Sequence, residues 1–179
     1  MRGTPIDATY RMIAKPPLEL PADRPLLLLD IEGVIDVFQC PAARETKIAP
    51  NLPALRLLPG LADWLARLDR AYYLIWCSPA AAQINVEAAA AWGIEPRPLI
   101  EPTPAEALLH DWKARAVQRT LAGWPGALAW VEDGFTTEAH AWAAARLAQA
   151  RRTWLVDVSE TGLTEEIADY LLEWASLAT

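Results

Sequence analysis

Short apolar runs and longer stretches of helical period alternate along most of the chain. Four consecutive leucines, Leu26–Leu29, form the first run, and "AYYLIWC" (71–77), "ALAWV" (127–131) and "TWLVDV" (153–158) form three more. Runs this short, rich in branched and aromatic residues, predict strands; being apolar without alternation, they predict strands covered on both faces. "RPLI" (97–100) is a weaker candidate.

The intervening stretches read as helices. Leu61, Trp64, Leu65 and Leu68 recur at helical spacing. Ser78-Pro79 reads as an N-cap and first-turn proline, opening an alanine-rich helix to Trp92 with Gly93 as its stop. Thr103 and Glu106 have capping-box spacing, and Asp111 is placed to cap a helix through "WKARAVQRTLA" that ends at Gly123. Thr137 and Glu138 start another helix through Leu147. Thr164 opens the last, which ends near Trp174. Strands alternating with helices predict an α/β fold: a doubly wound, Rossmann-like parallel sheet with helices on both faces.

Composition narrows this picture. The 179 residues suffice for one domain with a full core, and just over half are hydrophobic, the balance of a folded chain. Residues 1–24, proline-rich and without period, read as an N-terminal extension to an α/β domain over 25–179. The nine tryptophans fall mostly in strands or on apolar helix positions and are expected in the core. Two cysteines imply no disulfide framework; Cys77 is expected to face the packed layer as an inert thiol. No signal peptide and no run of about 18 apolar residues is visible, so a cytoplasmic protein without membrane contact is expected. The net charge of −7 weighs against a broad nucleic-acid surface.

Chemistry concentrates where ligands bind such sheets, at the carboxyl ends of the strands. The leucine run ends in Asp30-Ile31-Glu32, "AYYLIWC" is followed by Ser78, and "ALAWV" by Glu132-Asp133, with Lys113 near a helix start before it. Carboxylates at buried strand tips need compensation. A hard cation such as Mg²⁺ takes one or two carboxylates with phosphate oxygens and water, while the ammonium balances charge and the hydroxyl donates to phosphate.

The order Asp-x-Glu, Ser, Lys, Glu-Asp resembles that of the haloacid dehalogenase-like (HAD) superfamily. "LLLLDIEGVID" resembles its first motif, "YYLIWCS" the second, "HDWKARAV" the third and "LAWVED" the fourth. Together with "AWAAAR" and "TGLT", these segments are similar to the small HAD domains grouped with Swiss-Army-Knife RNA-repair proteins. The resemblance implies a Mg²⁺-dependent phosphatase or phosphotransferase. Asp30 would be the nucleophile and a metal ligand, Ser78 and Lys113 would contact the phosphoryl group, and Asp133 and Glu132 would supply metal-binding acids. Glu32 would be the acid/base, its main-chain carbonyl a further metal ligand. Glu32 departs from the family's Asp, and a displacement of about an ångström can cost about 10²-fold in turnover. The competing reading is therefore a HAD-like module that binds phosphate ligands or a partner with weak or no turnover. Between Asp36 and Gly60 there is room for only a minimal cap insertion, which suits a bulky phosphorylated substrate such as a nucleic-acid end.

Overall fold

The structure, a computed structural model, describes residues 18–178. The expected N-terminal extension lies outside the described residues as far as residue 17. Its last part is described, and Leu18 and Leu20 pack against the core.

The elements follow in the order β1 (Leu26–Leu29), β2 (Arg44–Thr46), β3 (Leu55–Leu57), α1 (Leu61–Ala71), β4 (Tyr73–Trp76) and α2 (Ala81–Trp92). Then come α3 (Trp112–Thr120), β5 (Leu128–Glu132), α4 (Thr137–Ala148), β6 (Thr153–Asp157) and α5 (Glu165–Ala178). The main sheet has the strand order β4-β1-β5-β6 and every pairing in it is parallel. It is flanked by helices and compatible with a Rossmann-like fold.

Side-chain alternation divides the core into two layers. Leu27 and Leu29 join Leu74, Trp76, Ala129 and Val131 on one face, under α1, α2 and α5. Leu26 and Leu28 join Ile75, Cys77, Leu128 and Trp130 on the other, under α3 and α4. All four leucines of β1 are fully buried, as a central strand requires. Cys77 is buried in the second layer, and burial drives its thiol pKa well above the ordinary range. Among the tryptophans, Trp64, Trp76, Trp92 and Trp130 are buried. Trp112, Trp124, Trp142, Trp154 and Trp174 are partly buried against the two layers.

Several local expectations are corrected. Ser78 does not cap α2; the helix starts at Ala81, and the position before it, Ala80, makes no side-chain cap. The Ser78 hydroxyl instead accepts the Ala80 N–H at 3.1 Å, closing a tighter turn ahead of the helix. Asp111 precedes α3 but caps nothing, because its carboxylate is drawn to Arg115 one turn on, at 2.7 Å. Helix α3 stops at Thr120, three residues before Gly123, and α5 continues beyond Trp174 to Ala178. "RPLI" forms a single bridge, Leu99 to Trp76, beside β4. The antiparallel pair β2–β3 had no strand pattern, since all three residues of β2 are exposed. Gly93 does end α2, at φ 67°. No helix among the described residues is long and apolar enough to cross a membrane.

Candidate active site

Strand register brings the acidic tips together. Leu29 is level with Trp76 of β4 on one side and Val131 of β5 on the other. The chains therefore leave the sheet side by side, as Asp30, as Cys77-Ser78 and as Glu132-Asp133. The Asp30 N–H still donates to the Val131 carbonyl at 3.3 Å, and the Cys77 N–H to Leu29 at 2.8 Å. The first turn of α3 carries Lys113 to the same edge.

Lys113 Nζ bridges two carboxylates, lying 2.7 Å from Asp30 Oδ2 and 2.6 Å from Glu132 Oε1. Asp30 is 1% exposed and Glu132 2%. Burial pushes the Asp30 pKa up against the pull of Lys113. Burial, and then the neighbouring charge of Asp30, raises that of Glu132. For Lys113, burial alone favours the neutral amine, but the two carboxylates outweigh it and keep the ammonium charged. Two carboxylates against one ammonium leave the ionised cluster one negative charge in excess. Among the described residues, Asp30 Oδ1 and Glu132 Oε2 are buried without a hydrogen-bond partner. Such atoms call for a ligand or a proton.

Asp133 adds a third carboxylate from the exposed side. One oxygen from each of Asp30, Glu132 and Asp133 lies within 4.8 Å of the others. Gly33 makes room for it: a Cβ there would stand 2.1 Å from Asp133 Oδ2, and the Gly33 φ of +74° disfavours a side chain as well. An all-oxygen donor set with two orphaned buried oxygens fits a hard divalent cation such as Mg²⁺.

Glu32 pairs with Ser78. Its Oε2 accepts a hydrogen bond of 2.5 Å from the Ser78 hydroxyl. Its side chain is thus not among the grouped carboxylates, and Ser78 is occupied by Glu32. The loop carrying Glu32 is tightly bonded: the Gly33 N–H donates to Asp36, and the Ile35 and Asp36 N–H groups both donate to Ile31. Asp36 had no role in the sequence reading, yet it is buried and accepts the Arg56 N–H at 2.7 Å, tying this loop to β3. Burial raises its pKa. Its place between Ile35 and Val37, both core residues, was the available signal.

A cleft of about 230 Å³ adjoins the cluster through Lys113, Glu132 and Asp133. His110, Trp112 and Phe135 line it too, and none of them was singled out from sequence. The short insertion expected between Asp36 and Gly60 contains β2 and β3, three residues each.

Comparison of the chain with protein-family models, with curated proteins and with solved structures finds no match in any of the three.

Proposed function

We propose that the protein is a HAD-type, Mg²⁺-dependent phosphatase or phosphotransferase that acts through an aspartyl-phosphate at Asp30. The observation that carries the reading is the pairing of buried Asp30 with Lys113 at 2.7 Å, in a cluster with Glu132 and Asp133 at the tip of the central strand. Surface ion pairs rarely bury two carboxylates against one ammonium, with a third carboxylate beside them, at a sheet's carboxyl edge; ligand sites do.

In this mechanism an Asp30 oxygen bonds to phosphorus as the bond from phosphorus to the leaving oxygen breaks. Glu32 gives its proton to that oxygen, and the product alcohol departs. Glu32, now a carboxylate, takes a proton from the water that attacks the aspartyl-phosphate. Inorganic phosphate leaves, and both acids return to their starting state. In a phosphotransferase an acceptor alcohol replaces the water. Lys113 holds positive charge beside the transferring group. Asp30, Glu132 and Asp133, with the Glu32 carbonyl that the family resemblance adds, would hold Mg²⁺, which would supply charge opposite the phosphoryl oxygens. The minimal insertion and open cleft suit a bulky phosphorylated substrate, with a nucleic-acid end among the candidates.

A phosphate-binding module with little turnover is the competing function, favoured by Glu32 standing where the family's acid/base Asp is expected. The test is hydrolysis of phosphomonoesters and phosphorylated oligonucleotides with Mg²⁺. Asp30→Asn is expected to abolish turnover at every Mg²⁺ concentration, because the nucleophilic oxygen is gone. Asp133→Asn is expected to lower Mg²⁺ affinity and to recover partly in excess Mg²⁺. Wild-type activity retained by Asp30→Asn overturns the aspartyl-phosphate. Mg²⁺ and phosphate binding without turnover in the wild type supports the binding module.

A further inference from the structure

We infer that Ser78 is a positioning residue for Glu32, and that this bond is what adapts the site to a glutamate. The inference rests on the phosphatase reading above, whose mechanism gave Ser78 no part in the proton transfers.

The hydroxyl has its single proton committed. It donates its one proton to Glu32 Oε2 at 2.5 Å and accepts the Ala80 N–H at 3.1 Å. A phosphoryl oxygen bears no proton to give at this site once it faces a cation, so it would compete for the same hydroxyl proton.

Both ends of the bond are held by the backbone. On one side, Cys77 is tied to Leu29 at 2.8 Å. On the other, Gly33 is tied to Asp36 at 3.0 Å, Asp36 to Ile31 at 2.8 Å and Leu163 to Val34 at 2.8 Å. With the two main chains fixed, side-chain length decides whether the bond forms. Removing one methylene shortens the arm by about 1.5 Å, the length of a C–C bond, and takes a 2.5 Å contact out of hydrogen-bond range. Glutamate has one more rotatable bond than aspartate, and the Ser78 hydroxyl removes that freedom. With Oε2 accepting from Ser78, Oε1 is the oxygen left to carry and deliver the proton.

The experiment measures kcat and KM for wild type, Ser78→Ala, Ser78→Thr, Glu32→Asp and the Ser78→Ala/Glu32→Asp double variant. Two substrates are used: 4-nitrophenyl phosphate, whose leaving group departs as a stabilised anion, and glycerol phosphate, whose alkoxide needs a proton. Proton delivery is worth about 10²–10⁴-fold when it is needed. Ser78→Ala is therefore expected to lose kcat about tenfold or more beyond its loss on the aryl ester when the alkyl ester is the substrate. Ser78→Thr restores the alkyl reaction by keeping the hydroxyl. Glu32→Asp lowers kcat instead of improving it, and adding Ser78→Ala to it costs little more, because the bond is already absent.

Equal losses on both substrates, or a loss confined to KM, would place Ser78 on the phosphoryl group and overturn the inference. So would a gain in activity on Glu32→Asp, or a Ser78→Ala penalty that persists in full on that background. Should Ser78→Ala fail to fold, the Glu32→Asp result decides. A wild type inactive on both esters fails differently: it removes the phosphatase reading itself, and the positioning role with it.

Discussion

A methyl group on Gly33 would overlap the Asp133 carboxylate at 2.1 Å, so this glycine is defined by the side chain across from it. The flexible Asp133 carboxylate would have to move, and the φ of +74° would be strained as well. Gly33→Ala is expected to destabilise the protein by about 1–2 kcal/mol, the usual cost of a left-handed non-glycine residue. It is also expected to weaken Mg²⁺ binding by displacing Asp133. Calorimetric titration checks this, with Asp133→Asn as the partner variant. If both act through one carboxylate, the double variant binds Mg²⁺ no worse than Asp133→Asn alone. Unchanged affinity in Gly33→Ala would leave Asp133 outside the metal site. Lys113 teaches a related lesson: its neighbours, not its own burial, set its charge state.

At the scale of elements, the segment before α3 is tied to the far end of that helix. Thr103 and Glu106 make reciprocal bonds, the Thr103 N–H donating to Glu106 at 2.7 Å and the Glu106 N–H to the Thr103 hydroxyl at 3.2 Å. Arg119 then donates to Glu106 through two nitrogens, at 3.0 and 2.9 Å, and to the Glu101 carbonyl at 2.8 Å. Arg119 thus helps to orient the helix whose first turn bears Lys113. These bonds, those from Arg119 foremost, lower the Glu106 pKa from 4.5 to about 2. A depressed carboxylate contributes stability that is present above its unfolded pKa and is lost as pH falls through its folded one. Glu106→Gln is therefore expected to lower the urea midpoint at pH 7. The gap from wild type should close between pH 4.5 and about 2, and should narrow at high salt because Arg119 is about half exposed. A gap independent of pH would mean that Glu106 contributes by packing alone.

Across the whole molecule, the cost of crowding Asp30 and Glu132 against one another falls on folding, because the unfolded chain separates them. A cation that binds only the native state should offset it. At a hundred times its Kd, Mg²⁺ bound there would add about 2.7 kcal/mol of stability. In a chain of this size each kcal/mol moves Tm by about 2–4 °C, so a rise of roughly 5–10 °C is expected over a chelator control. Asp30→Asn should lose most of that rise. An equal rise in Asp30→Asn would put the bound cation elsewhere on this acidic protein.

Short-range pattern was enough for the sheet. The leucine run, the aromatic run at 71–77 and the runs at 127–131 and 153–158 became β1, β4, β5 and β6. Which residues stand at the strand tips followed from chain order, since a strand's last residue is a local property. Register and side-chain partners were not local. That Ser78 would give its proton to Glu32 depended on two loops meeting across 46 residues of sequence, and the Lys113 bridge on α3 meeting β1 and β5. The short β2–β3 pair was equally illegible: β2 has no apolar face, and Asp36 and Arg56 join it to the site loop only once the chain has folded back. Periodicity reports burial one element at a time. A hydrogen bond depends on distances of a few tenths of an ångström between elements, which packing alone sets.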